Sequence, residues 1–421
     1  MRTMKKILPL AIGLLLSQQA FATNGYLSHG YGVKSESMGG VGIALPQDAL
    51  AAATNPAGIA LIGDRVDFGL TWFRPEREAK ISGTSGGFSD GTFKGNARDN
   101  FFIPEGGFSK QINSNVGVGV SIYGNGGMNT AYETGIPLLN GGTGKRPGIN
   151  YEQLFVAPTV AWKITPSQSI GASLILGYQR FKANGIDGFA GISASPNHLT
   201  GQGYDHAYGI GLHLGWIGQI TDTVSLGASY QTKTHFEKFD KYKGLFAGGG
   251  NMDAPETYGV GIAVKATPQL TVAADAQRYL FSDVDAIGNS AALWNGAFFP
   301  GNLGLSNGPG FGWRDATAYK LGASYIVNET LTVRAGYDHV NQPIPSSETL
   351  FNILAPAVVK DHLTLGGTYK LPNNAELSVG YTHAFNYTVH GANAIPTAFG
   401  GGNVDLKMHQ DALGIAYGWQ L

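Results

Sequence analysis

Cysteine is absent from the 421 residues. That excludes a disulfide framework, a thiolate metal site and a cysteine nucleophile. Charge is scarce, at 14% of residues against roughly 25% in soluble domains. The formal net charge is −1, so nothing recommends nucleic acid as a partner. The histidines are scattered without HxxxH or HExxH spacing, and neither a metal site nor a cofactor is expected. No spacing of serine and histidine singles out a nucleophile, so an outer-membrane enzyme is a remote reading. No run reaches the ~18 apolar residues of a spanning helix. No fixed repeat supports a β-solenoid.

What is present is alternation. Residues 1–22 read as a signal peptide: basic Arg2, Lys5 and Lys6, an apolar run Ile7–Leu16 and the A-x-A site Ala20-Phe21-Ala22. Val66, Phe68, Leu70 and Trp72 then share one face of a first strand over Arg65–Arg74. A second strand spans about Asn100–Ile112, and a third puts Val116, Val118, Val120 and Ile122 opposite Gly117, Gly119 and Ser121. The same period of two continues to Leu413, Ile415, Tyr417, Trp419 and Leu421. About fourteen strands are expected, an even number as closed membrane barrels require. Short turns near Asn113, Pro166, Asp222, Pro268, Asn328 and Pro372 alternate with long connections at about 124–150, 183–206, 235–254, 282–313, 342–358 and 386–404. That is the arrangement of an outer-membrane barrel with short periplasmic turns. Backbone in lipid must pair internally, so such a sheet closes on itself.

Thr23–Asp64 does not alternate. It is rich in glycine and alanine and is expected as a plug inside the barrel of residues 65–421. A short helix fits there, with Pro46 in its first turn, Asp48 near its positive end and a stop before Pro56. If the apolar faces point outward, the lumen is lined by small residues and by Asp67, Asp275, Lys320, Arg334 and Asp338. Pairs of Lys320 and Arg334 with Asp275 and Asp338 are expected, tying the wall to itself or to the plug; the alternative is a cationic spot for an anionic head. The long loops carry apolar clusters, Ile136-Pro137-Leu138-Leu139, Leu293-Trp294, Phe298-Phe299-Pro300 and Leu350-Phe351 with Ile353-Leu354. They read either as a binding surface or as loops packed on one another.

The plug opening Gly-Tyr-Leu-Ser-His-Gly-Tyr-Gly at Gly25–Gly32, Met38-Gly39-Gly40-Val41-Gly42, Asn55-Pro56-Ala57, Ser169-Ile170-Gly171-Ala172-Ser173 and Gly312-Trp313-Arg314-Asp315 together resemble the FadL-type outer-membrane transporters of long-chain fatty acids and other hydrophobic compounds. The resemblance covers the whole mature chain. It implies an all-β, 14-stranded antiparallel barrel with an N-terminal hatch. It implies passive uptake of a long-chain fatty acid, with aromatic hydrocarbon uptake or export of oxidised fatty acids as the alternative within the family. The ligand would collect among the loops, where Leu293, Trp294, Phe298, Phe299, Leu350 and Phe351 are the candidate contacts. It would then pass to an inner pocket and leave sideways through a kink in the third strand at Gly124, Gly126 and Gly127. Asn55, Pro56 and Ala57 match the hatch motif, a gating candidate. Arg314 is the best match for a carboxylate clamp, since it shares inward parity with Ala316, Ala318 and Lys320. Arg180 ranks lower because it shares outward parity with Leu176 and Tyr178. The implied surroundings are outer-membrane lipid and lipopolysaccharide, with the barrel assembly machinery reading the last strand; a monomer is expected.

Overall fold

The computed structural model describes residues 24–421; the expected signal peptide lies outside them. One antiparallel sheet of sixteen strands contains a closed cycle of fourteen. In chain order these are β1 (Arg65–Ser82), β2 (Phe101–Gln111), β3 (Val116–Ala131), β4 (Gly148–Thr165), β5 (Gln168–Asn184), β6 (Asp205–Gln219), β7 (Val224–Gln231), β8 (Thr257–Lys265), β9 (Leu270–Tyr279), β10 (Ala316–Ile326), β11 (Leu331–Val340), β12 (Asp361–Lys370), β13 (Ala375–Gly391) and β14 (Asn403–Gln420). Two short strands lie outside the cycle: Gly91–Lys94 pairs with β1, and His235–Phe236 with β6. β14 closes on β1 along its whole length, from Arg65 opposite Gln420 to Ser82 opposite Asn403. That closure accounts for an apolar C-terminal strand: it has a neighbour on each side, so no ladder edge is left in lipid.

The side-chain pattern is that of a soluble protein turned inside out. Val160, Trp162, Leu212, Val260, Leu321 and Leu365 are exposed on the outer face, where lipid covers them. Inward positions are small because the N-terminal segment fills the lumen. A Cβ on Gly215 would come within 1.9 Å of Asn55 Oδ1, and one on Gly336 within 2.1 Å of the Met38 carbonyl carbon. Towards one end of the strands, outward tyrosines find polar partners: Tyr381 donates to Asp411 at 2.6 Å, and that carboxylate also meets His383 at 2.8 Å. An aromatic body with a hydrogen-bonded tip suits the membrane interface. The short turns close on side-chain oxygens: Asn113 Oδ1 accepts from the amides of Asn115 and Val116, and Asn328 Oδ1 from those of Thr330 and Leu331.

Four boundaries differ from the sequence reading. β1 continues past Arg74 to Ser82. Beyond the lipid its outward residues become Glu76, Glu78 and Lys80, so the apolar alternation stops while the strand does not. β3 does not end at the glycines but runs through them to Ala131. β13 likewise extends to Gly391 across an irregularity between Ala384 and Tyr387, which shortens the loop expected at 386–404. Within the N-terminal segment the α-helix is only Ala51–Thr54, and Pro46 lies before it. Asp48 Oδ1 accepts from the Leu50 amide at 3.0 Å, and Pro56 opens a separate 3₁₀ turn, Pro56–Ala60.

Candidate functional site

The loops divide into a packed cap and an open patch. Ile136, Leu139, Ile344, Leu350, Ile353 and Leu354 are buried against one another in the main core. Phe351 joins them, edge-on to Phe189 at 5.1 Å. In contrast Leu293, Phe298 and Phe299 are exposed, Phe299 at 79%. Trp294 and Phe298 meet Phe399 at 5.1 and 5.8 Å, so an aromatic patch stands at the outer surface. Beside the cap lies a small pocket lined by Leu245, Phe246, Ala286, Leu303, Pro309, Gly310, Phe311, Phe351 and Leu354. None of these carries a charge.

From that pocket a line of rings leads to the N-terminal segment. Phe311 touches Trp313 at 6.4 Å; Trp313 touches Phe281 at 5.3 Å and Tyr26 at 6.1 Å. Trp313 is fixed by its Nε1 donating to Asn352 Oδ1 at 2.6 Å. Asn24–Leu27 forms a tight turn, and Leu27 bridges to Gly126 of β3. The Gly127 amide donates to Tyr26 O at 2.9 Å and the Ser28 amide to Asn125 O at 3.2 Å. Gly126 admits this approach because it lacks a side chain: a Cβ there would lie 2.5 Å from Tyr26 O.

At this place β3 leaves its neighbour. β2 and β3 pair only from Gly106 opposite Ile122 to Gln111 opposite Gly117. Beyond Ile122, β3 follows β4 alone, with a register shift between Gly124 and Gly126 that leaves Asn125 as the extra residue. Asn125 faces inward, its Nδ2 donating to Gln153 Oε1 at 2.6 Å and its Oδ1 accepting from Tyr31 at 2.9 Å. On the other side Phe101–Glu105 pair with β1 only. The wall is therefore open between Phe101–Glu105 and Tyr123–Met128. Ile103 on one edge of this opening lines a small pocket together with Ser28, His29 and Phe73. Across its outer end Arg77 of β1, 2% exposed, donates to Asn129 O at 2.6 Å and Arg98 O at 2.7 Å.

Most of the lumenal charges hold the N-terminal segment. Asp275 accepts from the amides of Gly42 and Ile43 at 2.8 and 3.0 Å. Lys320 donates to His29 O at 2.7 Å and to Gln277 at 2.9 Å. Asp67 accepts from the Ala49 amide and from Arg65, and Arg334 donates to Gln47 Oε1 at 3.1 Å and to Thr368. The expected Lys320 and Arg334 pairs with Asp275 and Asp338 do not form. Backbone amides and carbonyls of the segment satisfy the wall side chains instead, and Asp338 faces His362 at 3.6 Å. His29 stacks on His362 at 5.7 Å; burial, then His362 and Lys320, push its imidazole down to about 3, so it is neutral.

Asn55 ties the segment to itself and to two wall strands. Its Nδ2 donates to the carbonyls of Ile43, Trp216 and Ala228 at 2.7, 3.0 and 3.2 Å, and its Oδ1 accepts from Ala57 at 3.1 Å. Pro56 sets the turn that follows. Arg314 departs from its inferred parity: β10 begins only at Ala316, and Arg314 is exposed, lining an open groove with Tyr387 and His390. Arg180 faces outward and pairs with Glu152 at 2.7 Å. Lys320 is buried beside His29, away from the apolar pocket. Sequence reasoning passed over Phe281 and Phe311, and it quoted Tyr26 and Trp313 within family motifs without giving them a place on a ligand route. They lie in loops and the N-terminal segment, where no periodicity marks them. It also passed over Asn125 and Arg77, although an asparagine among glycines within a strand is a usable sign of a bulge.

Relatives bear on this arrangement. The toluene transporter TodX of Pseudomonas putida has the same fold, with a TM-score of 0.70 at 18% identity over 93% of this chain and 99% of that one. A FadL homologue of Pseudomonas aeruginosa gives 0.69 at 16% identity, over 94% and 99%. The toluene transporter TbuX of Ralstonia pickettii gives 0.64 at 20%, over 93% and 99%. No curated protein sequence matches the chain. The family model described as "Outer membrane protein transport protein (OMPP1/FadL/TodX)" matches residues 13–420. The chain belongs to this family of outer-membrane transporters of hydrophobic compounds, a family of channels rather than of enzymes.

Proposed function

We propose that this channel admits a compact, uncharged hydrophobic molecule, of the monoaromatic hydrocarbon class, and releases it sideways into the membrane. The observation that carries the choice of ligand is the lining of the small pocket beside the cap, which is apolar throughout. A carboxylate there would lose its water without gaining a cation, at a cost of several kcal/mol. The ligand first leaves water on the patch of Trp294, Phe298, Phe299 and Phe399. It passes beside the cap to Phe311 and Trp313, where ring edges and faces suit an aromatic guest. Tyr26 and Leu27 bar the way to the opening between β2 and β3. A small withdrawal of Asn24–Tyr31 from Gly126 joins the pocket to that opening. No energy source is needed, because each step keeps apolar surface out of water and the gradient sets the direction.

A second reading, uptake of a long-chain fatty acid, is favoured by Arg314. It is an exposed cation on the groove of Gln342, Ile344, Tyr387 and His390, suited to hold a carboxylate at the outer rim while the tail lies on apolar loops. Uptake of labelled toluene and labelled oleate, by cells lacking their own transporters, separates the two. Saturable toluene uptake with little oleate supports the first reading; the reverse supports the second.

A further inference from the structure

The outer face of the wall beside the opening carries a cationic pocket. Asn129, Asn150 and Lys182 stand in register across β3, β4 and β5. They alternate with Met128, Tyr151 and Phe181, which are buried in the core, so the three face outward. With Arg98, Arg146 and Pro147 they line a recess of about 220 Å³ at the ends of these strands that bear the long connections. The Lys182 ammonium and the Arg180 guanidinium each lie 4.7 Å from the Tyr204 ring centre.

Nearby acids are already engaged. Glu152 pairs with Arg180, Asp99 with Arg74 and Asp187 with Lys145. Exposed Glu133 does not line the recess. Among the described residues, no ion pair engages Arg98, Arg146 or Lys182. Three cations with no acid among them, turned sideways from a membrane barrel at its extracellular end, meet phosphate groups of the outer leaflet. The polar floor between these cations is held in place by its own hydrogen bonds. Asn150 Nδ2 donates to Glu152 and Tyr204, Asn129 Nδ2 donates to Asn150, and Arg77 spans the opening to hold Asn129.

We propose that this pocket binds the phosphate of an outer-leaflet glycolipid, seating one lipid against the outer end of the lateral opening. The lipid would then form part of the exit that the hydrophobic cargo uses. This rests on the outer-membrane placement, and not on which cargo is carried.

The test measures binding of bis-phosphorylated lipid A to the purified barrel in detergent, by native mass spectrometry and titration. The comparison is the triple variant R98Q/R146Q/K182Q. Lys110→Gln, at the opposite end of β2, is the control. Binding about tenfold weaker in the triple variant, with the control unchanged, is expected. Dephosphorylated lipid A should bind like the triple variant, and inorganic phosphate should not compete. Equal binding by wild type and triple variant overturns the proposal, as does equal binding of the dephosphorylated lipid. Competition by inorganic phosphate at comparable concentration would make this a free-anion site instead. Heat-modifiable migration reports assembly; should the triple variant fail it, Arg146→Gln alone, a change in an exposed loop residue, is judged by the same criteria.

Discussion

The two ends of the N-terminal segment meet the wall in different ways. At Asn55 one side chain holds four backbone groups, two of them on β6 and β7, and Gly215 leaves no room between segment and wall. At Asn24–Tyr31 two backbone hydrogen bonds and one bridge go to a strand that has itself lost a neighbour, and the other polar contacts are single side-chain bonds, Asn24 to Tyr279, Tyr31 to Asn125 and Lys320 to His29 O. The first end is held on two paired strands; the second rests beside the opening between β2 and β3. On the proposed route the segment stays fixed at Asn55 and yields at Asn24–Tyr31.

Deleting Asn125 should have the largest effect. It removes the extra residue that turns β3 from β2, so the ladder can continue past Ile122 and close the wall. Cargo uptake should fall to the background of cells lacking the protein, while the barrel remains heat-modifiable. Gly215→Val attacks the other end: its side chain overlaps Asn55 and Pro56, at a cost of about 1–3 kcal/mol. Leakage of small polar antibiotics should rise, with cargo uptake affected less. Asn55→Ala acts at the same joint more mildly, leaving buried carbonyls without donors at about 1–3 kcal/mol. Faster hydrogen exchange over residues 51–61 is expected, in a barrel that still assembles; unchanged exchange would deny the anchoring role. Arg314→Ala should have the smallest effect. An exposed cation contributes about 0.2–1 kcal/mol, so oleate binding weakens by less than about fivefold and toluene binding not at all.

Much of the wall was legible from the chain, because lipid on one side and a packed lumen on the other impose a strict period of two. Val116–Ile122, Tyr208–Trp216 and Leu413–Leu421 show it plainly. The period fades where the strands leave the lipid. Arg77, Ala79 and Ile81 still point inward, yet Glu76 and Lys80 opposite them hide the strand. The inner apolar route was not legible. Phe281, Phe311, Trp313 and Tyr26 come from separate loops and the N-terminal segment, and only closure of the barrel brings them together. Arg314 misled because parity was extended two residues beyond the start of its strand. Lys320 and Asp275 were placed correctly in the lumen but not paired correctly. Their partners are backbone groups of the N-terminal segment, which no side-chain pattern displays.

The most direct measurement compares two engineered cross-links in a chain that otherwise has no cysteine. S28C/N125C joins the yielding end to the kinked strand, where the Ser28 amide meets Asn125 O. T54C/S229C joins the anchored end to β7, where Ser229 donates to Thr54 O at 2.8 Å. Toluene uptake is measured oxidised and after reduction, with cross-linking verified by mass spectrometry. Uptake lost on oxidation and restored by reductant in the first pair, but indifferent to both in the second, is the result predicted here. Uptake by the first pair that is equal in the oxidised and reduced states would show that Asn24–Tyr31 does not move during transport.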